Sequence, residues 1–287
     1  IGVSVPCTNA CGLERPGERP SHMATANLTA EPHSPSQFSS DELAQFHEQG
    51  FAIVRQVADS DTIRRMLEVT HYGVTHRVPP LELEAELQYP GAPAAVNEEG
   101  GETVRRLKQA ASRDFAFMQW LVHPGILQRL KQILGEKVVC PLAHHNCIMT
   151  KEPRFSSDTG WHQDIRYWAF TRPDLVSVWL ALGPERRENG CLQLIPGSHR
   201  QNYPRSSFDD ALFFRSDLPE NQPILDQRIY AELNPGDVLF FHARTLHAAT
   251  RNFSQQTKYS VVFTFRSFDN PPLPGTRSSA SPELLLH

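Results

Sequence analysis

The chain has 287 residues, a formal net charge of -4 at neutral pH and a hydrophobic fraction of 39%. This composition is typical of a soluble globular protein with a sizeable core, and its acidic balance argues against a nucleic-acid partner. The sequence contains no apolar run near the ~18 residues that a membrane helix requires, so we expect no membrane partner either.

The N-terminal segment carries no pattern of a folded element. Residues 1–22 lack the basic and then apolar parts of a secretory signal, and residues 21–23 resemble a cloning junction. We therefore interpret residues 1–22 as vector-derived. Residues 24–37 are polar and rich in Pro and Ser, so we expect the whole of residues 1–37 to be a disordered leader.

The first predicted helix follows this leader. Ser39 and Glu42 form a capping-box pattern, in which the serine side chain caps the helix and the glutamate reaches back to it. Gly50 is a natural C-terminal residue for a helix. We predict a helix between Ser39 and Gly50, followed by a short strand at residues 51–54.

Two more helices are predicted in the first half of the chain. One begins at Asp59 or Ser60, and the other begins at Pro124 and ends at Gly135. Between them, residues 76–104 are rich in Pro and Gly and weakly patterned, which is typical of a functional or disordered loop. A solvated linker and an active-site lid both remain open for this segment.

From residue 137 onward the pattern changes to short runs of β-branched and aromatic residues punctuated by Gly, Pro and Asn. Such runs predict an antiparallel sandwich or barrel. Residues 203–227 interrupt the runs and are a second candidate lid or insert. The predicted strands are residues 137–150, 175–182, 191–195, 228–234, 237–242 and 258–267.

One His-x-Asp pair, His162 and Asp164, forms a candidate metal site with a distant histidine. Residues two apart on an extended segment point to one face. Two imidazoles and one carboxylate cover one face of an octahedral metal, as in non-heme Fe(II) oxygenases. His242 and His247 are the candidates for the third ligand, and one regular strand cannot direct both inward because they lie five positions apart. A hydrogen-bonded histidine explains so short a motif equally well.

The sequence around this motif is more specific than the motif itself. The most specific run is Asn-Gly-Cys-Leu-x-x-x-Pro-Gly-Ser-His at residues 189–199. In order and spacing, several such blocks over residues 38–277 resemble the phytanoyl-CoA dioxygenase family of Fe(II)/2-oxoglutarate oxygenases. The blocks are residues 160–170, 176–182, 188–199, 235–242, 246–247 and 251–252.

The resemblance implies a mainly β fold with a double-stranded β-helix (jelly-roll, cupin-like) core. N-terminal and flanking α-helices would pack outside this core, in a single domain over residues 38–287. It also implies that His162, Asp164 and His247 hold Fe(II), with His242 in a supporting position. With 2-oxoglutarate and O2 as co-substrates, the expected reaction forms succinate and CO2. Ascorbate would support this reaction in vitro.

The resemblance also indicates the type of product. Halogenating relatives carry Ala or Gly where this chain has Asp164, so hydroxylation is the expected outcome. The expected target is a C–H bond of a small-molecule metabolite, with secondary metabolites included in that class.

The same resemblance points to residues that contact 2-oxoglutarate. The family has Arg eleven positions after the distal histidine, where this chain has Lys258, which keeps a charge but loses the planar fork of Arg. A solvated lysine is the alternative, and Arg251 and Arg266 are the fallbacks. Trp179 and Cys147 match family positions that line the co-substrate pocket, although core packing explains both equally well.

Further candidates lie next to the motif. Gln163 is assigned to the co-substrate on condition that the strand bends there. Tyr167 and Trp168 would border the substrate mouth, unless they belong to a minor core cluster. Arg106 and Lys108 fall where the family has a basic residue near the pocket, and surface charge is their alternative.

Two other classes of protein remain open. A cupin-like isomerase, or another metal enzyme on the same barrel, would not consume 2-oxoglutarate, and the Arg-to-Lys departure favours it. A non-catalytic jelly roll that binds a metal or ligand is the third class, although an intact ligand triad argues against it. The oligomeric state is left open, and five cysteines without a Cys-x-x-Cys pair predict a reduced, cytoplasmic protein.

Overall fold

The helices lie mainly in the N-terminal half of the chain. The structure, a computed structural model, describes residues 36–287, so the predictions for residues 1–22, and for nearly all of the leader 1–37, lie outside the described residues. The α-helices are α1 (Ser40–Gln49), α2 (Ser60–Thr75), α3 (Glu84–Leu87), α4 (Phe115–Leu121), α5 (Pro124–Leu134) and α6 (Gln222–Leu225).

The ends of the predicted helices are confirmed in atomic detail. The Ser39 side chain accepts a hydrogen bond from the backbone N–H of Glu42, and the Glu42 side chain accepts one from that of Ser39. Gly50 ends α1 in the left-handed region, at φ 84°. The second helix is capped by Asp59, whose side chain accepts from a backbone N–H. α5 begins at Pro124, as predicted.

The strands of the described chain form two antiparallel sheets. Many are short, which is why several were missed by pattern alone. The strands are β1 (Phe51–Val54), β2 (Leu81–Leu83), β3 (Val104–Lys108), β4 (Val138–Pro141), β5 (Asn146–Lys151), β6 (Thr159–His162), β7 (Leu175–Ala181), β8 (Leu192–Leu194), β9 (Ile229–Tyr230), β10 (Val238–His242), β11 (His247–Ala249), β12 (Lys258–Ser267) and β13 (Glu283–Leu286).

The larger sheet has nine strands, with the order β1-β10-β7-β12-β5-β3-β2, and with β4 joined to β12 and β13 to β4. The smaller sheet has four strands, in the order β6-β11-β8-β9. From β5 to β12, successive strands alternate between the two sheets, except that β8 and β9 both lie in the smaller sheet. The predicted antiparallel sandwich is confirmed.

The two faces of the larger sheet have different roles. One face packs against the helices in a large apolar core that includes Phe46, Met66, Trp120 and Phe240. The other face packs toward the smaller sheet through a second, smaller apolar cluster, which includes Trp179. The helices thus stabilise the sheet from outside and leave its inner face to the space between the sheets.

The predicted strand at residues 137–150 is wrong in one respect. It is two strands, β4 and β5, separated by a turn at residues 142–145. This turn takes His144 and His145 out of the sheet and places them at the edge of a cavity. The apolar pattern on both sides of the turn concealed the break.

Residues 76–104 do not form an unstructured loop. They contain β2 and α3 and lead into β3, so the linker interpretation is wrong. The inner face of β2 carries Glu82, which forms ion pairs with Arg106 and Lys108 on β3. β2 is only three residues long, which is too short for the alternation by which strands are predicted.

The described residues, 36–287, belong to one compact unit. The single jelly-roll domain over residues 38–287 stays a prediction, as do its boundaries. Among residues 36–287, no helix combines the length and the apolar character needed to cross a bilayer. The cytoplasmic location also stays a prediction.

Phe240 provides a test of the helix-facing core. Its side chain is fully buried and packs edge-on against the ring of Phe38, with centroids 5.1 Å apart. We expect Phe240→Ala to lower the free energy of unfolding by about 3–5 kcal/mol, because it removes buried contacts and leaves a cavity. Phe253→Ala is the control, since Phe253 is 68% exposed. Urea unfolding that gave equal losses for both variants would contradict this core.

Candidate metal centre and its cavity

Two histidines meet because β6 and β11 are neighbours in the smaller sheet. The register of this pair places His162 opposite His247. Directly opposed residues on adjacent antiparallel strands share a face of the sheet. The two imidazole centroids lie 4.1 Å apart, although the residues are 85 positions apart in the chain.

Both imidazoles are oriented by backbone carbonyls. Nδ1 of His162 donates to the carbonyl of Gly160 at 2.8 Å, and Nδ1 of His247 donates to the carbonyl of Thr245 at 3.0 Å. Since each proton is on Nδ1, each Nε2 is left as an acceptor. Burial lowers the pKa of both imidazoles to about 4, so both are neutral at physiological pH, the form that binds a metal.

Asp164 completes the cluster from the turn that follows β6. Its Oδ1 lies 3.7 Å from Nε2 of His162 and 3.8 Å from Nε2 of His247. Its Oδ2 accepts a 3.5 Å hydrogen bond from Oγ of Ser177 and lies 3.7 Å from Nδ1 of His145. One carboxylate oxygen therefore faces both imidazoles, and the larger sheet holds the other.

These three side chains fit a divalent metal of the non-heme iron type. One ligand atom from each lies within 4.8 Å of the other two. Two neutral imidazoles and a carboxylate converging from one side leave the opposite side open, which is the facial arrangement such metals accept. His242 lies elsewhere: its Nδ1 accepts from the backbone N–H of Arg244, and its Nε2 lies 3.6 Å from Asp174.

A cavity of about 590 Å³ opens beside the cluster and is lined from both sheets. Its wall includes most of the residues that the sequence assigned to the site. Besides the three candidate ligands, these are Cys147, Tyr167, Trp168, Trp179 and Lys258. Residues from distant parts of the chain thus line one cavity, and Gln163 is the exception.

The residues around Asp164 face in different directions. The amide of Gln163 donates to the carbonyl of Arg244 and accepts from Nε of Arg166 at 3.0 Å, outside the cavity. This geometry is contrary to the predicted co-substrate contact, because both ends of the amide already bind protein. Trp168 faces the cavity and packs against His145, with ring centroids 5.2 Å apart.

Aromatic residues from the two candidate lid segments meet at the cavity mouth. Tyr89, from residues 76–104, packs edge-on against Phe213, from residues 203–227, with centroids 5.5 Å apart. Phe213 also packs 5.9 Å from the ring of His162. The hydroxyl of Tyr167 donates to the carbonyl of Ala211 at 2.8 Å. These contacts place both segments next to the candidate metal centre.

Lys258 lies in the cavity wall, but its charge is already paired. Its Nζ donates to Oε2 of Glu185 at 3.0 Å, and both side chains are almost fully buried. The other oxygen of Glu185 accepts from Nε1 of Trp179 at 2.8 Å and from Oγ of Ser260 at 2.6 Å. Two predicted co-substrate residues, Lys258 and Trp179, therefore bind one buried carboxylate that the sequence analysis missed.

The fallback arginines do not reach this space. Arg251 pairs with Asp158 at 2.7 Å, and Arg266 pairs with Glu283 at the opposite end of β12. Neither lines the cavity. Among the described residues, the basic side chains that do are Arg105, Arg106, Lys108, Lys151, Lys258 and Arg277.

Two of these buried cations were missed in the sequence. Arg105 is the extra residue of a bulge in β3 and donates to Glu84 at 3.1 Å and to Ser157 at 2.7 Å. Lys151 is 8% exposed, and its Nζ donates to the carbonyl of Ser157 at 2.8 Å. Strand alternation was a usable signal, since Lys151 lies four positions after Cys147, already assigned to the pocket.

Arg106 and Lys108 lie at the outer part of the wall. Both form ion pairs with Glu82, at 2.7 Å and 3.3 Å. The Lys108 side chain is 44% exposed and that of Arg106 29%, so surface charge describes the lysine better than the arginine.

Comparison with known proteins agrees with the geometry of the candidate metal centre. A family model described as Phytanoyl-CoA dioxygenase (PhyH) matches residues 46–260. The chain belongs to the phytanoyl-CoA dioxygenase family. This match includes the whole smaller sheet, most strands of the larger sheet and all three candidate ligands, and it confirms the resemblance drawn from the sequence blocks.

Individual members of the phytanoyl-CoA dioxygenase family are distant relatives. A probable phytanoyl-CoA dioxygenase of Caenorhabditis elegans is 25% identical over 183 residues, which cover 60% of this chain and 57% of the relative. The peroxisomal phytanoyl-CoA dioxygenase of Homo sapiens is 24% identical over 237 residues, 78% of this chain and 67% of the relative. The chain spans about half to two thirds of the length of these curated relatives.

Solved structures share the fold. The chain is similar to the non-heme alpha ketoglutarate dependent carbocyclase SnoK from nogalamycin biosynthesis, with a TM-score of 0.69, 19% identity and coverage of 90% of this chain and 100% of that one. The epimerase SnoN, crystallised with Fe³⁺, alpha ketoglutarate and nogalamycin RO, is also similar, with a TM-score of 0.65 and 20% identity. That similarity covers 84% of this chain and 91% of SnoN. The predicted double-stranded β-helix core is confirmed.

The candidate metal centre can be tested by metal binding alone. We expect His162→Ala to weaken the binding of Fe(II) by more than about 100-fold, because loss of even an outer-shell partner costs 10–100-fold. His242→Ala is the matched control and should bind like the wild type, since His242 lies outside the cluster. Anaerobic titration of the metal-free protein measures both. Equal affinity in the two variants would contradict the assignment.

Proposed function

We propose that the protein is an Fe(II)/2-oxoglutarate-dependent dioxygenase that hydroxylates a C–H bond of a small-molecule metabolite and releases succinate and CO2. The observation that carries this proposal is the convergence of His162, Asp164 and His247 on one side of a cavity between the sheets. Membership of the phytanoyl-CoA dioxygenase family supports it independently.

The residues present define what each part of the site would do. His162 and His247 would offer Nε2, and Asp164 one carboxylate oxygen, to Fe(II). The metal, when bound, would supply the activation of O2 that is coupled to decarboxylation of 2-oxoglutarate. The backbone carbonyls that accept from both Nδ1 atoms fix the imidazole orientation before any metal binds.

The walls of the cavity would orient the substrate and exclude water. A volume of about 590 Å³ lies within the range of ~300–1,000 Å³ that small-molecule sites occupy. Tyr89, Tyr167 and Phe213 at the mouth offer flat apolar surfaces beside the candidate metal centre. We infer a small metabolite as substrate, with secondary metabolites among the first to screen.

The type of oxidation is the finer part of the proposal. The similar structures include a carbocyclase and an epimerase, so this fold accommodates several outcomes. Another similar structure, EctD from S. alaskensis, holds 2-oxoglutarate with 5-hydroxyectoine. We propose hydroxylation, because this chain has the carboxylate of Asp164 at the position where halogenating relatives carry Ala or Gly.

One observation favours a second candidate function. Because Lys258 already pairs with Glu185, the expected cation for 2-oxoglutarate is engaged by the protein itself. A metal enzyme that uses the same three ligands without 2-oxoglutarate, such as a cupin-like isomerase, would need no such cation. Succinate formation separates the two candidates.

We expect the wild-type protein, with Fe(II), ascorbate and 2-oxoglutarate under air, to form succinate, and a pool of candidate substrates to increase the rate. His247→Ala should form none above background, because one of the three proposed ligands is lost. Phe253→Ala serves as the active control, because Phe253 is exposed and is not one of the proposed ligands. Succinate at the wild-type rate from His247→Ala would contradict the proposal.

A silent wild type is resolved by a second measurement. Anaerobic addition of 2-oxoglutarate to the Fe(II)-loaded protein should produce a charge-transfer absorption band. A band without turnover means that the substrate is missing from the assay. The lack of a band at saturating 2-oxoglutarate would favour the enzyme class that does not use it.

A further inference from the structure

Two lysines face each other inside the cavity wall. Lys151 on β5 and Lys258 on β12 are direct cross-strand partners, and both side chains are buried. Like charges directly opposite one another destabilise a sheet, and burial increases the cost. Such a pair needs an anion to compensate it, or the loss of a proton from one of the two ammonium groups. The surroundings of each lysine show where such an anion lies.

The protein supplies an anion to only one of the two lysines. Glu185 lies 3.0 Å from Nζ of Lys258, whereas Nζ of Lys151 donates to a neutral acceptor, the carbonyl of Ser157. Among residues 36–287, no carboxylate oxygen lies within 4 Å of Nζ of Lys151. The neighbouring Arg105 already binds its own carboxylate, on Glu84. The wall therefore has one buried ammonium without a carboxylate.

We propose that Lys151, rather than Lys258, holds the distal carboxylate of 2-oxoglutarate, an inference that rests on the proposed function. Lys258 then acts as the permanent partner of Glu185. The two lysines occupy the same end of the cavity, since cross-strand partners have Cβ atoms ~4.5–5.5 Å apart. The anchoring charge then lies on β5, one strand away from the expected position on β12, and it still faces the same end of the cavity.

The other cations are less suited to this role, and one of them, Arg277, is exposed to solvent. A carboxylate bound at Lys258 would share its ammonium with Glu185 and be repelled by it. Arg105 has its guanidinium engaged by Glu84, Ser157 and Thr159. Arg106 and Lys108 pair with Glu82 nearer to solvent, where screening weakens their attraction for an anion.

The pKa of Lys151 agrees with a site that has no bound anion in the free protein. Burial, and then the charges of Arg105 and Lys258, lower the pKa of Lys151 to about 7, against the weaker opposite effects of Glu84 and Asp158. A bound carboxylate favours the charged ammonium and raises this pKa. Binding should therefore take up a proton above pH 7, and the affinity should fall as the pH rises further.

The decisive experiment compares two variants and two ligands. Calorimetric titration of the Fe(II)-loaded full chain without O2 gives the affinity for 2-oxoglutarate and for 2-oxopentanoate, in which a methyl group replaces the distal carboxylate. We expect Lys151→Met to weaken the binding of 2-oxoglutarate by about tenfold to a hundredfold, which is the usual contribution of a charged hydrogen bond to affinity. Its affinity for 2-oxopentanoate should stay near that of the wild type.

Lys258→Met is the matched control, and the two variants should differ in stability as well. Lys258→Met leaves Glu185 buried without its cation and should lower the melting temperature by several degrees. Lys151→Met removes one member of a like-charge pair and should melt at or above the wild-type temperature. Lys258→Met should retain more of the preference for 2-oxoglutarate over 2-oxopentanoate than Lys151→Met does.

A rescue variant separates loss of the anchor from misfolding. In Lys151→Met with Glu185→Gln, the ammonium of Lys258 is released and should recover part of the affinity for 2-oxoglutarate. Proton uptake at pH 8, measured in buffers of different ionisation enthalpy, should be present in the wild type and absent in Lys151→Met.

Specific results would overturn the proposal. Loss of the 2-oxoglutarate preference in Lys258→Met, with the preference intact in Lys151→Met, would assign the anchor to Lys258. A folded double variant without any recovery would also count against the lysine pair as the site. A wild type that binds neither 2-oxo acid would overturn the proposed function itself, and the wild-type titration shows this before any variant is made.

Discussion

The site depends on the register between β6 and β11. This register sets His162 opposite His247 and so joins residues 85 positions apart. A shift by one residue would turn one imidazole to the other face of the smaller sheet, because side chains alternate along a strand. Asp164 comes with His162 at no further cost, since it lies in the next turn. The larger sheet contributes Ser177, whose hydroxyl donates to the other oxygen of Asp164.

Buried charge is the second constraint, and it does not serve stability. A buried ion pair often contributes little to the free energy of unfolding, because desolvation offsets the Coulombic attraction. Glu185 with Lys258, and Glu84 with Arg105, nevertheless lie inside the wall of the cavity. Such pairs fix the positions of charged groups before a ligand arrives. They also determine which cation is left for a carboxylate, and that cation is Lys151.

The apolar pattern and the short motifs predicted much of the fold and the metal cluster. Capping residues such as Ser39 act locally, and the His-x-Asp spacing places two ligands on one face through local geometry alone. Glu185 was not predictable in this way, because charged residues in a strand or loop are usually exposed. Lys151 was missed for the same reason, although strand alternation from Cys147 pointed to it. The burial of both depends on partners far away in the chain. β2 was missed because it is only three residues long.

The three proposed metal ligands do not by themselves determine the reaction, since function depends on the whole site and not on the fold. On our proposal the outcome depends on where the substrate is held relative to the candidate metal centre. That position is set by residues 76–104 and 203–227, which meet through Tyr89 and Phe213 at the mouth. Tyr89 and Phe213 lie outside the helices and strands of these segments, and surface loops tolerate change more readily than the sheets they connect. Selection can therefore alter the substrate there without disturbing the register that assembles His162, Asp164 and His247.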